Sequence, residues 1–99
     1  MEKKQSSGFN DKEWYEKGRR LTRDGRHREA IEALNLAIDQ NPRYSEAYFA
    51  RGACHYALGS YRQASDDLEA AAILGCRDAQ FWSKYEIYPF EQDANDKEA

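Results

Sequence analysis

The chain has 99 residues, 40% of them hydrophobic and 33% charged, with a formal net charge of -3 at pH 7. That length allows one domain with a modest core, and the composition is too apolar for a wholly disordered chain. Interspersed charges of both signs exclude the basic surplus of a duplex binder, and the longest apolar run is too short to span a bilayer.

In chain order, residues 1–9 read as a flexible polar segment. Met1 to Gly8 lacks the apolar core of a signal peptide, so a cytoplasmic location is expected. Asn10 can cap a first helix, with Glu13 three residues on completing a capping-box pattern. That helix runs to about Asp24, where Gly25 can adopt the left-handed conformation that ends helices. A second helix is expected from about Arg28 to Gln40. Its Ala30, Ile31, Leu34, Ala37 and Ile38 form an apolar stripe at helical spacing, and Asn41-Pro42 ends it. Ser45 opens a third helix that Gly59 stops. A fourth runs from about Arg62 to Leu74 and ends at Gly75. Asp78 can cap a fifth, which is short because Pro89 cannot sit in a helix interior. Residues 89–99 are polar and acidic and read as a disordered tail.

Shifting the chain against itself by 34 residues aligns residues 11–44 with 45–78 without a gap and gives seven identities. Gly18 meets Gly52, Gly25 meets Gly59, Ala30 meets Ala64, Leu34 meets Leu68 and Ala37 meets Ala71. Trp14 falls on Tyr48, and Tyr48 falls in turn on Trp82. Glycine and alanine at fixed points let two antiparallel helices cross closely, and large residues one turn away fill the space around each crossing.

These residues resemble the tetratricopeptide repeat, a 34-residue helical hairpin. The first unit supplies Trp14, Lys17-Gly18, Leu21, Ala30, Leu34, Ala37 and Pro42, and the second Tyr48, Arg51-Gly52, His55, Ala64, Leu68 and Ala71. Lys17 and Arg51 depart from the family's Leu, His55 from its Tyr and Cys76 from its closing Pro. The resemblance implies an all-α fold, a right-handed α-solenoid of antiparallel helix pairs with five helices. Repeat 1 would span residues 11–44, repeat 2 residues 45–78, and a capping helix residues 79–88, all within a domain of residues 10–88.

In this family the first helices of successive repeats line a concave groove that binds peptides or partner helices. Carried over by position, the groove would present Lys12, Tyr15, Glu16, Arg19 and Arg23 from the first helix. The third would present Glu46, Phe49, Ala50, Ala53, Tyr56 and Ala57, and the fifth Gln80, Ser83 and Lys84. Tyr15, Arg19, Arg23, Phe49, Ala53, Tyr56 and Lys84 are the expected partner-binding residues. Their aromatics offer contact area, and their cations suit acidic side chains or a C-terminal carboxylate. One subclass of the family grips acidic chaperone C-termini with a five-residue clamp. The matching positions are Tyr15, Arg19, Ala50, Gln80 and Lys84, which lack the clamp's two Asn amides. That clamp is not expected, though a looser anion preference is.

Signals for catalysis are poor. His27 and His55 have no partner at metal-ligand spacing, and Cys54 and Cys76 match no metal or redox spacing. Cys54 and His55 are neighbours on a helix and point about 100° apart. Asp66-Asp67 reads as a solvated face, and there is no Gly-rich phosphate loop. No cofactor or metal is expected, and the chain reads as a binding module rather than an enzyme. A protein or peptide partner is expected, with neither nucleic acid nor membrane, on a monomeric chain. The alternative is self-association or a scaffold role through the aromatic end that holds Phe81, Trp82, Tyr85, Tyr88 and Phe90. A tail acid such as Glu91 entering the chain's own basic groove is a further option.

Overall fold

Four helices follow one another in the computed structural model, which describes residues 8–80: α1 (Asp11–Arg23), α2 (His27–Gln40), α3 (Ser45–Ala57) and α4 (Tyr61–Ile73). Helical geometry resumes over residues 77–80. All regular structure among the described residues is helical, and α1 packs on α2, α2 on α3 and α3 on α4, the helix-pair stacking of an α-solenoid.

Local chemistry accounts for the ends of these helices. The Asn10 side chain accepts the Glu13 N–H at 2.8 Å, and the Asn10 N–H donates to the Glu13 carboxylate at 3.0 Å. Two otherwise orphaned donors are thus satisfied at the start of α1. Gly25, Gly59 and Gly75 follow the ends of α1, α3 and α4 with φ of 81°, 84° and 105°, a region that other residues enter at a cost. The last helical segment begins at residue 77, two residues before the expected capping helix. Asp78 therefore lies inside its first turn, and the Gln80 N–H donates to the Cys76 carbonyl at 2.9 Å. The remainder of the expected capping helix, with Trp82, Ser83 and Lys84, falls outside the described residues, as do residues 1–7 and the acidic tail.

Close crossings need the small residues. A Cβ on Gly18 would stand 2.7 Å from Cγ of Leu34, and one on Gly52 would stand 3.2 Å from the Ala64 carbonyl oxygen. Ala30, Ala37, Ala64 and Ala71 are fully buried on the facing helices. The core falls into two clusters, one around Leu34, Ile38 and Cys54, the other around Leu68, Cys76 and Ala79. Tyr48 packs against both and so joins the two units.

Asp66 is exposed, but Asp67 is buried at 6% exposure and is not part of a solvated face. The cause is Arg51, which stands where the family has Leu. Its guanidinium binds both Asp67 oxygens, at 2.9 and 2.7 Å, and donates to Asn35 of α2 at 2.8 Å. Its Cζ lies over the Tyr48 ring, 5.4 Å from the ring centre. A bidentate partner satisfies the carboxylate that burial would otherwise penalise. Lys17, one repeat earlier, faces no such acid, because Ala33 holds the position equivalent to Asp67. Its ammonium sits instead over the rings of Phe9 and Trp14, at 5.9 and 5.7 Å.

Candidate functional site: a hollow between the leading helices

Because α2 packs against both α1 and α3, the two leading helices lie side by side on one face of the chain. Between them is an open hollow of about 620 Å³. α1 contributes Tyr15, Arg19, Thr22 and Arg23, α3 contributes Glu46, Phe49, Ala50 and Ala53, and the start of the last helical segment adds Cys76 and Asp78. The spacing on each leading helix is that of a single helix face.

The hollow brings together Tyr15, Arg19, Arg23, Phe49 and Ala53, five of the residues singled out from sequence. Tyr56 is not on its lining. That ring turns to Tyr61, with centroids 5.3 Å apart, and packs on the second core cluster. A large aromatic buries more area at the α3–α4 junction than over an open hollow. Lys12 and Ala57 are exposed but do not line the hollow, and neither does Glu16. Gln80 is turned back, its amide donating to the Ala72 carbonyl at 3.0 Å. Lys84 lies outside the described residues.

Thr22, Cys76 and Asp78 are lining residues that sequence reading missed. Thr22 follows Tyr15 by seven positions, so face spacing alone could have found it. Its hydroxyl donates to the Gly18 carbonyl at 2.9 Å and lies 3.1 Å from the Cys54 sulfur. With its one proton committed to Gly18, the Thr22 oxygen can accept the Cys54 S–H. Burial pushes the Cys54 thiol up, against the smaller opposing effect of that contact. Cys54 is therefore a packed thiol rather than a nucleophile.

Aromatic and charged groups meet at the α1 side. The Tyr15 ring lies 5.0 Å from that of Tyr44, and the Arg19 guanidinium lies 5.9 Å from the Tyr15 centroid. Burial raises the Tyr15 phenol, with Arg19 acting the other way. Tyr44 is pushed up to about 12, chiefly by burial and then by Tyr15. Both phenols stay protonated near neutrality and present apolar faces with hydroxyl tips.

Among the described residues, no group of three or more His, Cys, Asp or Glu could hold a metal ion. The His55 Nε2 lies 3.7 Å from Asp67, away from the Cys54–Thr22 contact. Burial holds His55 below its ordinary range, Asp67 pulls it up and Arg51 pushes it down. Nor is any helix among the described residues long and apolar enough to cross a membrane.

The family model described as TPR repeat matches residues 18–59, from the middle of α1 to the turn after α3. No curated protein and no solved structure matches the chain.

Proposed function

We propose that this chain, a member of the tetratricopeptide-repeat family through residues 18–59, binds an extended peptide or helix of a partner protein in the hollow between α1 and α3. Repeats of this family mediate protein–protein interaction. The observation that carries the site is the hollow itself, open to solvent between the two leading helices and lined by small Ala50 and Ala53 beside Tyr15 and Phe49. Small residues leave room for a guest, and rigid aromatics lose little entropy on contact. Arg19 and Arg23 add charge-assisted bonds to a guest carboxylate. Two buried free cysteines, Cys54 and Cys76, suit a reducing compartment such as the cytoplasm.

The test is selection of binders from a displayed random-peptide library against the full chain. The reading expects enriched peptides whose binding falls at least about tenfold in Phe49→Ala and in Ala53→Trp, the one removing an aromatic contact and the other filling the hollow. Selected peptides that bind both variants as well as the parent would refute it.

A further inference from the structure

Charge is sorted along the hollow. Glu46 stands in the first turn of α3 and Asp78 in the first turn of the last helical segment, whereas Arg19 and Arg23 stand in the second half of α1. The 34-residue register makes Glu46 level with Lys12 and Ala53 level with Arg19. Two such shifts make Asp78 level with Asn10. Both acids thus lie where the leading helices begin, and both guanidinium groups lie toward where they end. At the helical rise per residue, Arg19 and Arg23 are offset from the level of Glu46 by about 10 and 16 Å along the axis. The stretch between holds Tyr15, Phe49 and Ala50. No ion pair engages Arg19, Arg23 or Asp78 among the described residues, and the Glu46 carboxylate accepts from the neighbouring Ser45 hydroxyl at 3.2 Å.

We propose, resting on the reading of this hollow as the docking site, that its guest is an extended segment of mixed charge. It carries a basic side chain toward Glu46 and Asp78, an apolar middle, and an acidic side chain toward Arg19 and Arg23. An offset of about 10–16 Å at the rise of an extended chain puts those two charges about three to five residues apart. A wholly acidic guest meets the two arginines but sets like charge against Glu46 and Asp78, which selects against it. The same placement of charge also complements the dipoles of α1 and α3. Guest preference, not stability, is therefore the informative readout.

The experiment uses fluorescently labelled synthetic peptides and the full chain at low salt, read by anisotropy. One peptide places Lys and Glu about four residues apart around Leu and Phe. Two others carry Lys at both places or Glu at both. The mixed peptide is expected to bind about tenfold more tightly than either. Arg19→Glu with Arg23→Glu should switch the preference to the doubly basic peptide, and Glu46→Lys with Asp78→Lys to the doubly acidic one. All four side chains lie on the open lining, and melting curves check that each variant folds. If the doubly acidic peptide binds the parent chain as well as the mixed one, or the ranking survives both variants, the charge-sorted guest is overturned while the hollow stands. If none of the peptides binds and library-selected peptides ignore Phe49→Ala and Ala53→Trp, the hollow reading falls with it.

Discussion

Arg51 holds both carboxylate oxygens of Asp67, Nε to Oδ2 at 2.9 Å and Nη2 to Oδ1 at 2.7 Å. The Asp67 side chain is 8% exposed and that of Arg51 22%. With its third contact, to Asn35, Arg51 on α3 bridges α4 to α2 across the two hairpins. The hollow depends on the stacking of those hairpins, although neither residue lines it.

Removing one partner leaves the other charge desolvated and unpaired. Arg51→Leu, which restores the family's residue, should therefore destabilise the chain by about 3 kcal/mol, the low end for buried pairs because Arg51 keeps some solvent. Arg51→Leu with Asp67→Ala should recover most of that loss, since the first repeat already tolerates an alanine at the position equivalent to Asp67. Urea denaturation of the three proteins measures both effects. A single variant within about 0.5 kcal/mol of the parent would reduce the pair to an ordinary surface contact.

Gly18 and Gly25 should respond to alanine for different reasons. At Gly18 the new methyl would stand 2.7 Å from Leu34, so overpacking by about 1–3 kcal/mol outweighs the gain in helix propensity of about 1 kcal/mol. At Gly25 nothing lies within 4 Å, and only the backbone at φ 81° objects, by about 1 kcal/mol. Loss at Gly18 should shrink when Leu34→Val is added, and loss at Gly25 should not. An unchanged Gly18→Ala melting temperature would mean that α1 and α2 do not cross as closely as described.

His55 makes stability depend on pH. Burial, its largest influence, holds the imidazole below 6.5, with Asp67 at 3.7 Å opposing and Arg51 reinforcing. The unfolded chain therefore binds the proton first as pH falls. The stabilisation from neutral His55 is full above pH 6.5 and is lost as pH drops through the lower folded value. Compared with His55→Gln, the parent should lose more stability between pH 7 and 5, as followed by denaturant midpoints. Parallel curves would show that the imidazole titrates alike folded and unfolded.

Tyr44 gives the opposite dependence. Its phenol is pushed up to about 12, mainly by burial, so the folded chain favours the neutral form. That contribution is full below pH 10 and fades as pH rises toward 12. Tyr44→Phe should flatten the alkaline limb of the stability profile, and ultraviolet titration at the tyrosinate band should lose one late-ionising phenol in that variant. A Tyr44→Phe difference spectrum with an ordinary midpoint would contradict it.

The helices were legible because their punctuation is chemical. Asn10 with Glu13 announces a cap, and Gly25, Gly59 and Gly75 each end a helix, all with φ between 81° and 105°. Gly18 and Gly52 mark the crossings, and the 34-residue shift sets their order. Arg51 and Asp67 were not legible as a pair, since two charges sixteen positions apart on different helices look solvated one at a time. A clue was present: relative to the first repeat, the cation at Lys17 is kept as Arg51 while Ala33 becomes Asp67, so an acid arises near the core opposite a retained positive charge. At the hollow, face spacing located Tyr15, Arg19, Arg23, Phe49 and Ala53. It did not foresee that the Tyr56 ring packs against Tyr61, or that the Gln80 amide bonds back to α4. Spacing states which face a residue occupies, not which neighbour its side chain prefers.

If the facing sides of α1 and α3 receive a protein segment, amide chemical-shift mapping of the full chain with a library-selected peptide should give saturable shifts at Tyr15, Arg19, Arg23, Phe49, Ala50 and Ala53, with Arg62 and Ile73 on α4 unmoved. Shifts confined to α4, or to the outer edge of α2 around Leu36, would contradict it.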